Sequence, residues 1–164
     1  MAKIRPFKAI RPTRDKVNLV TSKSYLDYSD ISLQEKLDIN PYTFLHIINP
    51  DYSNKHQTFG IEKFKLVKEK ILRFIEEGIL FQEEDNSFYI YQQTKGKKTF
   101  TGIIASTSIN DYLNGNIKIH EQTITKREEM FKDYLKITGF NADPVLLTYK
   151  DSPEINSIMN KYCK

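Results

Sequence analysis

Ile61-Glu62-Lys63-Phe64-Lys65-Leu66-Val67-Lys68-Glu69-Lys70-Ile71-Leu72-Arg73-Phe74-Ile75-Glu76-Glu77-Gly78 is followed shortly by Ser87-Phe88-Tyr89-Ile90-Tyr91-Gln92 and then by Thr99-Phe100-Thr101-Gly102-Ile103-Ile104-Ala105-Ser106. In the first stretch Phe64, Val67, Ile71, Phe74 and Ile75 recur at helical spacing, while Lys and Glu occupy the other face. That pattern predicts an amphipathic helix over Ile61–Glu77, with Gly78 as its stop. The other two stretches are rich in β-branched and aromatic residues, and Lys95-Gly96-Lys97-Lys98 sits between them as a hairpin tip. Gly102 interrupts the second strand and marks a bulge or a close backbone approach. A long helix beside an antiparallel hairpin implies an α+β or mixed α/β domain, with a mixed, partly antiparallel sheet and flanking helices.

Working outward, Ile4 to Ile10 alternates apolar and basic residues and predicts a first strand closed by Pro12. Residues 13–30 are polar and aperiodic, as in a loop. Ser32-Leu33-Gln34-Glu35 is a capping box that opens a short helix, and Asn40-Pro41 ends it. Tyr42-Thr43-Phe44-Leu45-His46-Ile47-Ile48 reads as a buried strand ending at Asn49-Pro50, with His46 a satisfied core histidine. A loop carrying Ser53, Asn54, Lys55 and His56 follows. Asn110-Asp111-Tyr112 begins a turn that closes at Asn114-Gly115. Thr125-Lys126-Arg127-Glu128 is a second capping box, opening a helix with Met130, Phe131, Tyr134 and Leu135 facing inward. Val145-Leu146-Leu147-Thr148-Tyr149 reads as another buried strand. Ser152-Pro153 starts a last helix with Ile155, Ile158, Met159 and Tyr162 on one face.

The 164 residues, 39% hydrophobic and 28% charged, fit a single folded domain over 1–164 rather than a disordered chain. No apolar run approaches the roughly 20 residues of a membrane span, and the first residues lack an apolar signal core. The one cysteine, Cys163, excludes an internal disulfide and suits a reducing, cytoplasmic setting. Seven Lys/Arg against Asp15 alone give residues 1–23 a charge of +6, whereas 18 Lys/Arg and 20 Asp/Glu leave the rest at −2. A basic N-terminal segment suits a phosphorylated ligand or nucleic acid, and equally a solvated basic strand and loop.

No phosphate loop, dinucleotide fingerprint or nucleophile elbow occurs, and His46, His56 and His120 lack metal-ligand spacing. The richest chemistry lies in Gly115-Asn116-Ile117-Lys118-Ile119-His120-Glu121-Gln122-Thr123 and the Lys126-Arg127 pair behind it. Glu121, adjacent to His120, suits a general base or a Mg²⁺ ligand. Thr123 and the amides opening the next helix suit a phosphate, with Lys126 and Arg127 adding positive charge. A capped helix behind a charged surface loop accounts for the same residues. Alternation along the first strand places Arg5 and Arg11 on the face that carries Phe7 and Ala9, as an anion site or a charge-protected edge. Tyr89, Tyr91, Lys95, Lys97, Lys98 and Phe100 interleave aromatic and basic residues, as in a nucleic-acid platform or a plain hairpin with a basic tip.

The ordered set Ile4-Arg5-Pro6-Phe7-Lys8-Ala9-Ile10-Arg11-Pro12, Asn40-Pro41-Tyr42-Thr43-Phe44-Leu45-His46-Ile47, Thr101-Gly102-Ile103-Ile104-Ala105, Gly115 to Thr123 and Pro144-Val145-Leu146-Leu147-Thr148-Tyr149 resembles domain-of-unknown-function family 1015. Members are usually much longer. Their later half carries an Ala-Asp-Gly-His-His-Arg stretch, similar to the phosphate motif of the ParB-like fold of partition proteins, sulfiredoxin and free-serine kinases. This sequence contains no such stretch, and Ser22 to Tyr28 replaces the family's Pro-Pro-Tyr-Asp-like segment, with Tyr25 and Asp27 as remnants. The resemblance implies the N-terminal part of a longer protein whose C-terminal half completes the site. The implied activity is nucleotide-dependent phosphotransfer, with a Mg²⁺-nucleotide, to a small hydroxyl compound such as free serine. In that reading Glu121 and His120 are catalytic, and Arg5, Arg11, Thr123, Lys126 and Arg127 bind phosphate or ligand, with no dedicated metal cluster. The alternative is a non-catalytic DNA- or ligand-binding module. Membrane partners are not expected.

Overall fold

The computed structural model describes all residues except Met1, Tyr25, Leu26, Lys55, residues 120–124 and Lys164. The chain forms two compact units, one from Met1–Ala9, Glu84–Gln122 and Ala142–Lys164, the other from Ile10–Glu83 and Thr123–Asn141. In chain order the elements are β1 (Ile4–Arg5), β2 (Ile10–Pro12), α1 (Val17–Val20), α2 (Asp30–Ile39), α3 (Leu45–Ile48), α4 (Gly60–Glu76), β3 (Leu80–Gln82), β4 (Tyr89–Lys95), β5 (Lys98–Ile104), β6 (Ser106–Thr107), α5 (Ile109–Leu113), α6 (Thr125–Thr138) and α7 (Pro153–Tyr162). The class is α+β. Among the described residues all strand pairing is antiparallel, in three two-stranded sheets: β1 with β6, β2 with β3, and β4 with β5.

The second of these units is built on α4. Its Val67, Ile71 and Phe74 are buried together with Val20, Ile47, Ile79 and Leu80, and Tyr42, Phe44, Ile75, Tyr134 and Phe140 pack around them. The expected apolar stripe is therefore the one that meets the core. The helix ends as its sequence dictates. Gly78 takes a φ of 68°, its amide bonds the Ile75 carbonyl at 3.0 Å, and the Ile79 amide bonds the Phe74 carbonyl at 2.9 Å. This double bond is a Schellman stop, and it delivers Ile79 into the core beside Phe74. Helix α6 packs on α4, with Tyr134 edge-on to Phe64 at 5.4 Å and to Phe140 at 5.9 Å.

Several expectations are corrected here. The strand expected over Tyr42–Ile48 is instead the single-turn helix α3, in which Leu45, His46 and Ile47 are all buried. Side-chain bonds bend the chain into this turn. Asn40 Oδ1 accepts the Tyr42 amide at 3.0 Å and its Nδ2 donates to the Leu19 carbonyl at 2.7 Å, while the His46 amide reaches the Thr43 carbonyl at 3.0 Å. A short apolar run buried all round has no period to separate helix from strand. His46 is buried but only half satisfied. Its Nε2 lies 3.1 Å from the Asn40 carbonyl, and its Nδ1 is without a hydrogen-bond partner.

The cap of α2 is Ser29, whose hydroxyl accepts the Ser32 amide at 3.3 Å, so the Ser32–Glu35 box lies inside the helix. Residues 13–30, expected as loop, include the turn α1. In α6 the inward positions are Tyr134, Ile137 and Thr138, while Met130, Phe131 and Leu135 are exposed. Val145–Tyr149 is not a strand, since it pairs with nothing among the described residues, and Val145 and Leu146 are each 80% exposed.

In the first unit β4 and β5 form the expected hairpin in unbroken register from Tyr89↔Ile104 to Lys95↔Lys98. Gly102 pairs with Tyr91, and a methyl there would meet open space, so the glycine marks neither a bulge nor a close approach. The strand expected over Ile4–Ile10 is interrupted at Pro6, which has no N–H to give a ladder. Arg5 pairs with Ser106, Phe7 makes a lone bridge to Ser87, and β2 begins at Ile10. Phe7 packs on Tyr89 at 5.1 Å, and the Tyr89 hydroxyl donates to the Phe7 carbonyl at 3.2 Å and accepts the Ala9 amide at 3.0 Å. Helix α7 begins where expected, with the Ser152 hydroxyl accepting the Ile155 amide, and it buries Met159.

Candidate functional site

The candidate segment 115–123 is described as far as Ile119, and it is anchored by a residue that the sequence marks only as part of a turn. Asp111, in α5, is 8% exposed. Its Oδ2 accepts the Lys3 amide at 2.8 Å and its Oδ1 accepts Asn116 Nδ2 at 2.9 Å. Its carbonyl accepts the Ile117 amide at 3.0 Å, and the Ser108 amide donates to the Lys3 carbonyl at 3.1 Å. The hydrogen bond from the Lys3 amide, then that from Asn116, holds the Asp111 carboxyl below the usual carboxylate range. One ionised side chain thus ties the strand end at Lys3, helix α5 and the Asn116–Ile117 turn together. The sequence carries one faint signal for this role, because Asp111 is the sole acidic residue in 101–120.

The predicted site residues fall as follows. His120, Glu121 and Thr123 lie outside the described residues. Arg5 is exposed on β1, in the unit that contains Asp111. Arg11 is on β2 in the other unit, and the single strand expected to carry both arginines is instead divided into β1, ending at Arg5, and β2, beginning at Ile10. Arg11 is also engaged: its Nε pairs with Glu83 Oε1, its guanidinium lies 4.3 Å from the centre of the Phe81 ring, and Nη1 donates to the Pro12 carbonyl at 3.3 Å. Lys126 and Arg127 are exposed in the first turn of α6, where the amides and the helix dipole favour an anion.

Two further polar features were not legible in the sequence. A cleft of about 170 Å³ in the α4 unit is lined by Asp30, Gln34, Asn49, Asp51, Tyr52 and Lys63, among others. Burial by itself would raise the Asp51 carboxyl, but the backbone and hydroxyl of Thr58 both donate to Oδ2 and hold it below the usual range. His46 lies edge-on to Tyr52 at 5.0 Å, and burial pushes its imidazole down from 6.5. Among the described residues no group of three or more His, Cys, Asp or Glu is arranged to hold a metal ion. Among them, too, no helix is long and apolar enough to cross a membrane.

The described residues form an α+β protein with small antiparallel sheets and a polar turn held by Asp111. The chain belongs to the family described as Protein of unknown function (DUF1015), whose model matches residues 4–164. No curated protein and no solved structure matches the chain.

Proposed function

We propose that this chain is the N-terminal part of a nucleotide-dependent phosphotransferase, of the ParB-like class, that acts on a small hydroxyl compound such as free serine. The observation that carries the reading is the Asp111 clamp. The Asp111 carboxylate fixes Lys3 and Asn116 in the turn that precedes His120 and Glu121 in the sequence, and positioning is most of what phosphoryl transfer asks of a protein. In the reaction the acceptor hydroxyl oxygen bonds to the terminal phosphorus and its proton passes to Glu121. The nucleotide leaves one phosphoryl group shorter. His120, Thr123, Lys126 and Arg127 supply hydrogen bonds and charge to the phosphate oxygens. Arg5 receives a second anionic group. The C-terminal half of the same protein completes the site, and the protein works in the cytoplasm.

The test is Glu121→Gln in the intact protein, with phosphoserine release from nucleotide and free serine as the readout. Loss of a positioned base lowers turnover by about 10²–10⁴-fold. Unchanged turnover removes Glu121 from the chemistry.

A further inference from the structure

The hairpin of β4 and β5 carries two unlike faces. On one, Gln92 Nε2 donates to Thr101 Oγ1 at 3.2 Å and the Thr94 and Thr99 hydroxyls bond at 3.0 Å, so its polar groups satisfy one another. The register places Tyr91, Gln93, Lys95, Lys98 and Phe100 on the other face, with Gly102 opposite Tyr91. Tyr91 is 54% and Phe100 60% exposed, and no side chain at Gly102 screens the tyrosine ring. The two rings are diagonal neighbours across the strands, with Cβ atoms somewhat closer than about 7–8 Å by sheet geometry.

The charge on this face is unbalanced. Residues 89–104 contain three lysines and no Asp or Glu. Lys95 and Lys98 are directly opposed in register, an arrangement that destabilises a hairpin, and Lys97 adds a third charge at the turn. None of the three forms an ion pair among the described residues. The turn itself is tight, since Gly96 takes a φ of 62° and Lys97 does not enter the left-handed region, as in a type II′ turn. The like charges are therefore held together rather than splayed.

From this juxtaposition we infer that the Tyr91/Phe100 face binds single-stranded nucleic acid. Bases stack on the two rings, the Gln93 amide reaches a base edge, and Lys95, Lys97 and Lys98 neutralise the backbone phosphates. The uncharged Gln93 amide on the same face favours bases, whose edges it can bond, over a lipid surface. This function is independent of phosphotransfer.

The experiment measures anisotropy of fluorescein-labelled oligothymidylate and oligouridylate with the full 164-residue chain. A duplex of equal length and phosphatidylserine vesicles serve as comparisons. Single strands bind most tightly, and Tyr91→Ala and Phe100→Ala each weaken binding at least about 5-fold. Replacing the three lysines by glutamine lowers the slope of log K against log salt by about 2. All these side chains are exposed, and unchanged circular dichroism confirms that the variants fold. Three results overturn the inference: preference for the duplex, binding to vesicles without binding to oligonucleotide, or full affinity in both ring variants.

Discussion

Replacing Ile47 by alanine tests the burial of α3, which the sequence reading shared although it gave the segment as a strand. Ile47 has no exposed surface and sits in the cluster with Val67, Ile71 and Phe74. The substitution removes the equivalent of about three methylene groups, each worth ~0.8 kcal/mol when buried. The unfilled volume adds to this, for a total loss of about 3–4 kcal/mol. For a chain of this size that corresponds to a melting temperature lower by roughly 6–16 °C. Far-UV circular dichroism during urea and thermal unfolding reports it, because α4 supplies much of the helical signal. Ile39→Ala is the control. Ile39 is 81% exposed at the end of α2, so its loss stays within about 0.5 kcal/mol. Ile48→Ala, at a half-buried position, falls between the two. A loss below about 1 kcal/mol at Ile47, or one equalled at Ile39, refutes the burial of α3.

The Asp111 clamp and the buried histidine give two more tests. Asp111→Asn removes the carboxylate that receives Lys3 and Asn116, so hydrogen exchange at the Lys3 and Ile117 amides accelerates while α4 amides stay protected; unchanged exchange at both refutes the clamp. The His46 imidazole, depressed from 6.5 by burial, stays neutral when folded but takes a proton when unfolded. Its contribution is therefore full above pH 6.5 and is lost as pH falls through the lower folded value. Urea midpoints that fall on acidification below pH 6.5 in the native chain, and fall less in His46→Gln, agree with this; identical slopes refute it.

Local codes made parts of this fold legible. Gly78 after a 3.6-residue stripe announces a helix stop, and the stop forms with the bonds that such a stop requires. Gly96 between two β-rich runs announces a tight hairpin, and Ser152-Pro153 announces a helix start. Each signal acts within a few residues, so the chain's own backbone decides the outcome. The Val145–Tyr149 run shows where such codes end. Its composition suits a strand, but a strand is a pairing, and no ladder among the described residues receives it. The capping box at Ser32 failed for a related reason, since Ser29 offers the same hydroxyl one turn earlier. Of the candidate site, the sequence brought forward Arg5, Arg11, His120, Glu121, Thr123, Lys126 and Arg127 by residue type. It had no means of showing that Arg11 is held by Glu83, far along the chain.

By itself, then, the sequence determined a domain that mixes helices with an antiparallel hairpin, the amphipathic helix α4 and the family resemblance. These rest on periodicity, turn chemistry and ordered motifs that need no distant partner. Only the tertiary structure decided that Tyr42–Ile48 curls into a helical turn and that Asp111 clamps Lys3 to Asn116. Each of these depends on burial or on a hydrogen bond between residues far apart in sequence. A carboxylate in a turn looks the same on paper whether it faces water or ties two distant segments together.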